Sequence, residues 1–261
     1  VLAPKETEIT ETATTRKVVD MERRTALMVC VVLGVLLLAE AALAAPVSPT
    51  TVTRGESSRR DLTNLPAQQV AAQAGNVTEI NLTAIAVTQS WQGYYGNVSG
   101  TIVLQNADNQ TFYNWSMATA KGEIYATRTS SVSFTTVDCL LAANITDEET
   151  ALGQATIDAD SVTNTFTTNV HPQFYVGTVD ITADTCNATN AFGPSGAQAN
   201  DFFQILLADN AGAGNIIYTT LLNGTKSSFD NSAWDFELLV GQNGHPGGST
   251  TTQYYLYVEL M

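Results

Sequence analysis

Trp234-Asp235-Phe236-Glu237-Leu238-Leu239-Val240 decides the fold class. Phe236, Leu238 and Val240 fall on one side of an extended chain, Asp235 and Glu237 on the other. Successive side chains of a strand point to opposite faces, so this alternation predicts one face in a core and one in water. The period of two recurs along the chain. Ile80, Leu82 and Ala84 alternate with Glu79, Asn81 and Thr83. Val98, Gly100, Ile102 and Leu104 form a second set, Val162 and Phe166 a third, and Phe203, Ile205 and Leu207 a fourth. Tyr254, Leu256, Val258 and Leu260 make the last strand, and two more are predicted over 132–137 and 174–181. Gly, Asn and Asp clusters at 105–109, 209–215 and 241–248 separate the runs. Thr, Val, Ile and aromatics fill them, as pleated surfaces prefer. About ten strands and no long helix predict an all-β fold, an antiparallel two-sheet β-sandwich of jelly-roll or Ig-like type. Helical character is expected only over 147–154 and 66–74.

Upstream, the chain is organised for export. Met21-Glu22-Arg23-Arg24 is a basic n-region, residues 26–38 are apolar, and Ala42-Leu43-Ala44 gives the small-x-small pattern of a cleavage site. The apolar run is shorter than the ~20 residues of a membrane span. Residues 21–44 therefore read as a signal peptide. An uncleaved anchor and a pilin-like leader with a retained N-terminal helix are the alternatives. Residues 1–20 are polar and Thr- and Glu-rich, and read as an unstructured upstream segment or a cytoplasmic tail on an anchored chain. Residues 45–74 hold Pro46, Pro49, Pro66, Arg54, Arg59 and Arg60 and read as a flexible linker. Residues 75–261 are the predicted β domain.

The net charge is -14, and after Arg60 only Lys121, Arg128 and Lys226 oppose eighteen acidic residues. Such a surface repels phosphate backbones, so nucleic acid is excluded as a partner. Membrane contact is expected only through an uncleaved N-terminal segment. Cys30 lies in the signal, which leaves Cys139 and Cys186 as an even pair in an oxidising compartment. A disulfide between them closes a loop of about 46 residues, which contributes on the order of 4 kcal/mol in the chain-entropy model. Eight Asn-x-Ser/Thr sequons, at Asn76, Asn81, Asn97, Asn109, Asn114, Asn144, Asn187 and Asn223, become N-glycosylation candidates in an exported chain. Asn97, Asn109, Asn144 and Asn223 stand in turn-like contexts.

Residues with chemical potential are few. Gly193-Pro194-Ser195-Gly196-Ala197 misses the nucleophile-elbow pattern at its last position and reads as a loop. His171 and His245 each precede proline at strand boundaries, which suits turns more than an acid–base pair. No catalytic residue and no cofactor is assigned. Asp147, Glu149, Asp158 and Asp160 flank a short loop and supply oxygen ligands of the kind calcium takes, though at no defined calcium-loop spacing. Trp91, Tyr94, Tyr255 and Tyr257 are the candidate ligand-binding aromatics, a stacking platform for sugars.

Four segments carry a resemblance. They are Gly75-Asn76-Val77-Thr78-Glu79-Ile80-Asn81-Leu82, Trp91-Gln92-Gly93-Tyr94-Tyr95-Gly96-Asn97-Val98-Ser99-Gly100, Gly122-Glu123-Ile124-Tyr125-Ala126 and His171-Pro172-Gln173-Phe174-Tyr175-Val176-Gly177. Together they resemble uncharacterised archaeal secreted or cell-surface proteins across residues 75–261. The resemblance implies an archaeal exported protein and carries over no site residue. The expected function is that of a secreted or cell-surface glycoprotein, structural or adhesive and non-enzymatic. It would self-assemble through strand edges, with 65–77 as a donor strand. The alternatives are a carbohydrate-binding module, a pilin-like filament subunit and a secreted hydrolase on a jelly roll.

Overall fold

The computed structural model describes residues 45–244 and 251–261. The predicted signal peptide with Cys30, and His245, lie outside them. The strands in chain order are β1 (Trp91–Gly96), β2 (Thr101–Gln105), β3 (Thr111–Ser116), β4 (Gly122–Thr127), β5 (Asp138–Cys139), β6 (Phe174–Val176), β7 (Val179–Ile181), β8 (Ala188–Phe192), β9 (Gln198–Ala208), β10 (Ile216–Leu221), β11 (Phe236–Gly241) and β12 (Tyr255–Leu260). Two helices, α1 (Ala142–Ala151) and α2 (Val162–Thr165), join them. The protein is mostly β, and every strand pair is antiparallel.

The pairing does not divide the strands into two comparable sheets. One six-stranded sheet runs β12-β4-β10-β9-β5, with β8 also on β9, beside the separate pairs β1–β11, β2–β3 and β6–β7. The main sheet is buried on both faces, which is why β4 is covered at all six positions. On one face Ile124, Ala126, Leu206, Ala208, Ile216 and Tyr218 meet Leu238 and Val240 of β11, Ile145 of α1, and Val162 and Phe166 around α2. On the other, Tyr125, Ile205, Leu207 and Ile217 meet Phe174, Val176 and Ile181 of the β6–β7 hairpin.

Gln204 fastens β11 to the sheet by imitating a strand partner. Its side-chain amide donates to the Glu237 carbonyl at 2.5 Å and accepts from the Leu239 N–H at 3.0 Å. Thr220 adds a bond to the same carbonyl at 2.6 Å. The alternation in 234–240 is therefore real, but its polar face is not in water. Glu237 is buried and accepts from the Phe229 N–H at 2.9 Å, while Asp235 accepts from the Val98 N–H at 2.8 Å.

Each rim of the main sheet meets one isolated bridge, Val47 to Val258 on β12 and Thr168 to Ala188 on β8. The linker is thus docked at its start. From residue 48 to 89 no strand forms, so the expected strand through Ile80 and Leu82 is not made, nor is a helix at 66–74. Leu65, Val70, Val77, Ile80 and Leu82 are exposed. Period two supplies a strand's side-chain pattern but not a partner for its backbone.

Other expectations are also corrected. Val162 and Phe166 belong to a helical turn, because a spacing of four fits both periods and Ser161 caps the turn by accepting from the Asn164 N–H at 3.1 Å. The 132–137 run is a 3-10 turn at Phe134–Thr136, which sets the Phe134 ring between Tyr125 and Tyr257. The 174–181 run folds back as a hairpin, with Gly177 at φ +58 in the turn. The helical turn expected over 147–154 is the end of a longer helix, α1.

Candidate functional site

β9 carries β8 and β5 end to end along one side, with Ala188 opposite Ile205 and Cys139 opposite Leu207. Cys139 and Cys186 form a disulfide across that junction, Cα to Cα 4.8 Å. It ties the two short strands into one continuous partner for β9. His171 supports the same corner from a buried position. Its Nε2 accepts from the Thr185 and Cys186 N–H groups at 3.2 and 3.0 Å, and its Nδ1 lies 2.9 Å from the Pro172 carbonyl. That pattern takes a neutral ring protonated on Nδ1.

The sequons sort by what their amides already do. Asn76, Asn81, Asn97, Asn109 and Asn114 are exposed. Asn144, Asn187 and Asn223 are half-buried, and each amide nitrogen donates to a main-chain carbonyl, of Ala213, Phe166 and Asp201 respectively. Asn144 and Asn223, favoured by their turn-like sequence, are therefore poorer acceptors than Asn114. Asn97, Asn109 and Asn114 cluster on or beside the β2–β3 hairpin, all of whose strand residues are exposed.

The four expected aromatics do not converge. Trp91 packs in the core, its ring 5.9 Å from Phe166 and 6.2 Å from Tyr218, and its indole N–H donates to the Asp160 carbonyl at 2.7 Å. Tyr257 packs on Phe134 and donates to the Ser130 carbonyl. Tyr255 is exposed on β12, and Tyr94 is exposed on β1, opposite Leu238. A different cluster forms instead. Tyr95 stands 5.1 Å from Phe229 and 5.3 Å from Trp234, ring centre to ring centre. Tyr95 and Phe229 are each about half exposed, and the Trp234 indole N–H donates to the Asp230 carboxylate at 3.2 Å. The run Trp91 to Tyr95 pointed at this region. Trp91 packs with Phe166 and Tyr218 while Tyr95, four residues on, packs with Trp234 and with Phe229, which comes from a loop that no periodicity marks.

The proposed calcium acids are engaged separately. Glu149 accepts from the Thr163 N–H at 2.8 Å and the Thr156 hydroxyl at 2.7 Å. Burial pushes its pKa up, but those bonds prevail and hold it below the ordinary value. Asp158 accepts from the Ala155 N–H and Asp160 from the Thr88 hydroxyl. Among the described residues no three Asp, Glu, His or Cys side chains group to hold a metal ion.

Asp147 instead lines a cleft of about 330 Å³ with Arg128, Asn144, Glu148 and Asn215. Arg128 pairs with buried Glu148, whose other oxygen accepts from the Tyr218 hydroxyl at 2.7 Å. Burial raises the Glu148 pKa against the lowering effect of Arg128 and Tyr218. The ion pair and the Tyr218 hydroxyl tie α1 to the main sheet beside this cleft. Sequence reasoning missed this cluster. The signal was present: Ile145, Glu148, Glu149 and Leu152 share one helical stripe, which places two glutamates toward the core.

No protein-family model, curated protein or solved structure matches this chain.

Proposed function

We propose that the chain is an exported, N-glycosylated cell-surface protein of structural or adhesive type, released from its signal after Ala44. The observation that carries this reading is the group of sequons at Asn97, Asn109 and Asn114 on and beside a hairpin that buries none of its strand residues. Glycans need solvent around them, and this hairpin offers it on both faces. The disulfide is compatible with an extracellular protein. Mass spectrometry of the native protein tests the reading. The expected spectrum has an N-terminus at Ala45, glycans at Asn97, Asn109 or Asn114, and Cys139 linked to Cys186. Unmodified asparagines with a retained residue 21–44 segment would overturn it.

A carbohydrate-binding role is the second reading, favoured by Tyr95, Phe229 and Trp234. Exposed rings beside an acceptor such as Asp230 suit the apolar face and hydroxyl rim of a sugar. A glycan array is expected to show a signal that W234A or Y95A abolishes and Y255A leaves unchanged. Equal signals from all three variants would remove this reading.

A further inference from the structure

Glu123 and Glu259 sit opposite each other on β4 and β12, and both are buried, 2% and 1% exposed. Glu259 is well supplied with donors. The Gly177 N–H lies 3.0 Å from each of its carboxylate oxygens, and the Tyr125 hydroxyl donates to Oε2 at 3.0 Å. Glu123 is not, since its Oε2 is buried without a hydrogen-bond partner. Two adjacent buried carboxyl groups with an orphaned oxygen need a proton or a cation to relieve them. The ion pairs among the described residues, Arg128 with Glu148 and Lys226 with Asp201, lie elsewhere.

The segment beginning at Ala45 lies beside this pair. Val47 exchanges both main-chain hydrogen bonds with Val258, at 3.0 and 2.8 Å, so the chain runs antiparallel to β12 and Pro46 comes beside Glu259. Pro46 is buried. A methyl group on Gly177 would stand 3.6 Å from the Ala45 Cα. Gly177 thus touches both partners: its N–H holds the Glu259 carboxylate, and its bare Cα faces Ala45. Ala45 is also the first residue after Ala42-Leu43-Ala44.

We propose that cleavage after Ala44 creates the missing cation, and that the new α-ammonium of Ala45 docks on the Glu123–Glu259 carboxylates and fixes the mature N-terminus to the sheet. This rests on the signal cleavage stated above. An endopeptidase of the signal-peptidase class adds water across the Ala44–Ala45 amide. Ala44 leaves as a carboxylate, and Ala45 keeps the nitrogen as an amine that takes up a proton at neutral pH. Before cleavage the same nitrogen is a neutral amide and cannot neutralise the pair. Removal of the signal is thereby registered at the sheet rim, as an ion pair between the buried glutamates and the exposed Ala45.

Residues 45–261 hold two lysines, Lys121 and Lys226, beside the α-amine that cleavage would create on Ala45, which makes the test clean. The full chain is expressed with export, the processed product is collected, and its amines are acetylated in a time course read by mass spectrometry. The expected N-terminus is Ala45, reacting about tenfold more slowly than the same amine on a short peptide of that sequence, as a pKa rise of about one unit gives. E259Q should restore the peptide rate and E123Q should move toward it, while Lys121 and Lys226 keep their rates. Glutamine preserves shape, so loss of protection reports charge rather than packing. If E259Q does not fold, E123Q carries the comparison. An Ala45 start with a peptide-like rate overturns the docking alone. A start at another residue overturns the cleavage reading and the docking with it.

Discussion

The strands β2 and β4 show opposite fates for similar sequence. Thr101-Ile102-Val103-Leu104-Gln105 is the more apolar, yet every residue is exposed. Gly122-Glu123-Ile124-Tyr125-Ala126-Thr127 contains a glutamate, yet every residue is buried. Composition of a short window does not decide burial; position in the topology does. β4 lies between β12 and β10 with a core on each face. β2 pairs only with β3, through a turn in which the Asn106 side chain accepts from the Asp108 and Gln110 N–H groups. A hairpin so poorly covered keeps its strands by local turn chemistry and cross-strand contacts, such as the Tyr113 and Trp115 rings 4.8 Å apart.

The contrast can be broken in stages. The largest effect is expected from replacing Cys139 and Cys186 together by Ala. Freeing a 47-residue separation costs about 4 kcal/mol in the chain-entropy model. Urea unfolding under oxidising conditions checks it, and an unchanged midpoint would mean that the β8–β5 junction holds without the bond. L206A, near the C-terminal end of β9 with no exposure, is expected to cost about 3 kcal/mol by the same measurement.

A pH effect comes next. Burial, then the neighbouring Glu259, raises the Glu123 pKa to about 8. An acid whose folded pKa lies above its unfolded one stabilises the fold fully below pH about 4.5 and loses that contribution as pH rises through about 8. Glu259 is raised too, by burial, against the Gly177 and Tyr125 bonds, so it acts in the same direction. In a chain with the Ala44–Ala45 bond intact, stability is therefore expected to fall from pH 5 to pH 8. E123Q should flatten that slope and raise stability at pH 8 by on the order of 1 kcal/mol. A slope unchanged by E123Q would move its origin to other groups. The smallest effect is expected from L104A on the hairpin, within about 0.5 kcal/mol. A larger loss would show that β2 is covered in solution.

Much of the fold was legible in the sequence, and what was not has identifiable causes. The all-β class followed from period two at Phe203 to Leu207 and at Tyr254 to Leu260, where both faces of β9 and β12 meet apolar cores. The pairing of Cys139 with Cys186 followed from their number. Period two was misleading at Val162 and Phe166, whose spacing suits either element, and at Ile80 and Leu82, where no second strand supplies hydrogen bonds. The candidate sites were least legible because they depend on contacts across distant segments. Phe229 reaches Tyr95 from a loop, and Glu123 meets Glu259 only because β4 and β12 are neighbours. Glu148 and Glu149 lay in plain view within an acidic run, where charge disguised their inward stripe.

The two isolated bridges at the rims of the main sheet, Val47 on β12 and Thr168 on β8, have a consequence for solubility. An open sheet rim is a template on which further chains can grow, and an acidic protein at high concentration gains from denying it. Here each rim is occupied at one residue by a passing loop, so stacking main sheets end to end would first require prying that loop away. Each contact covers one residue of its rim, Val258 of β12 and Ala188 of β8.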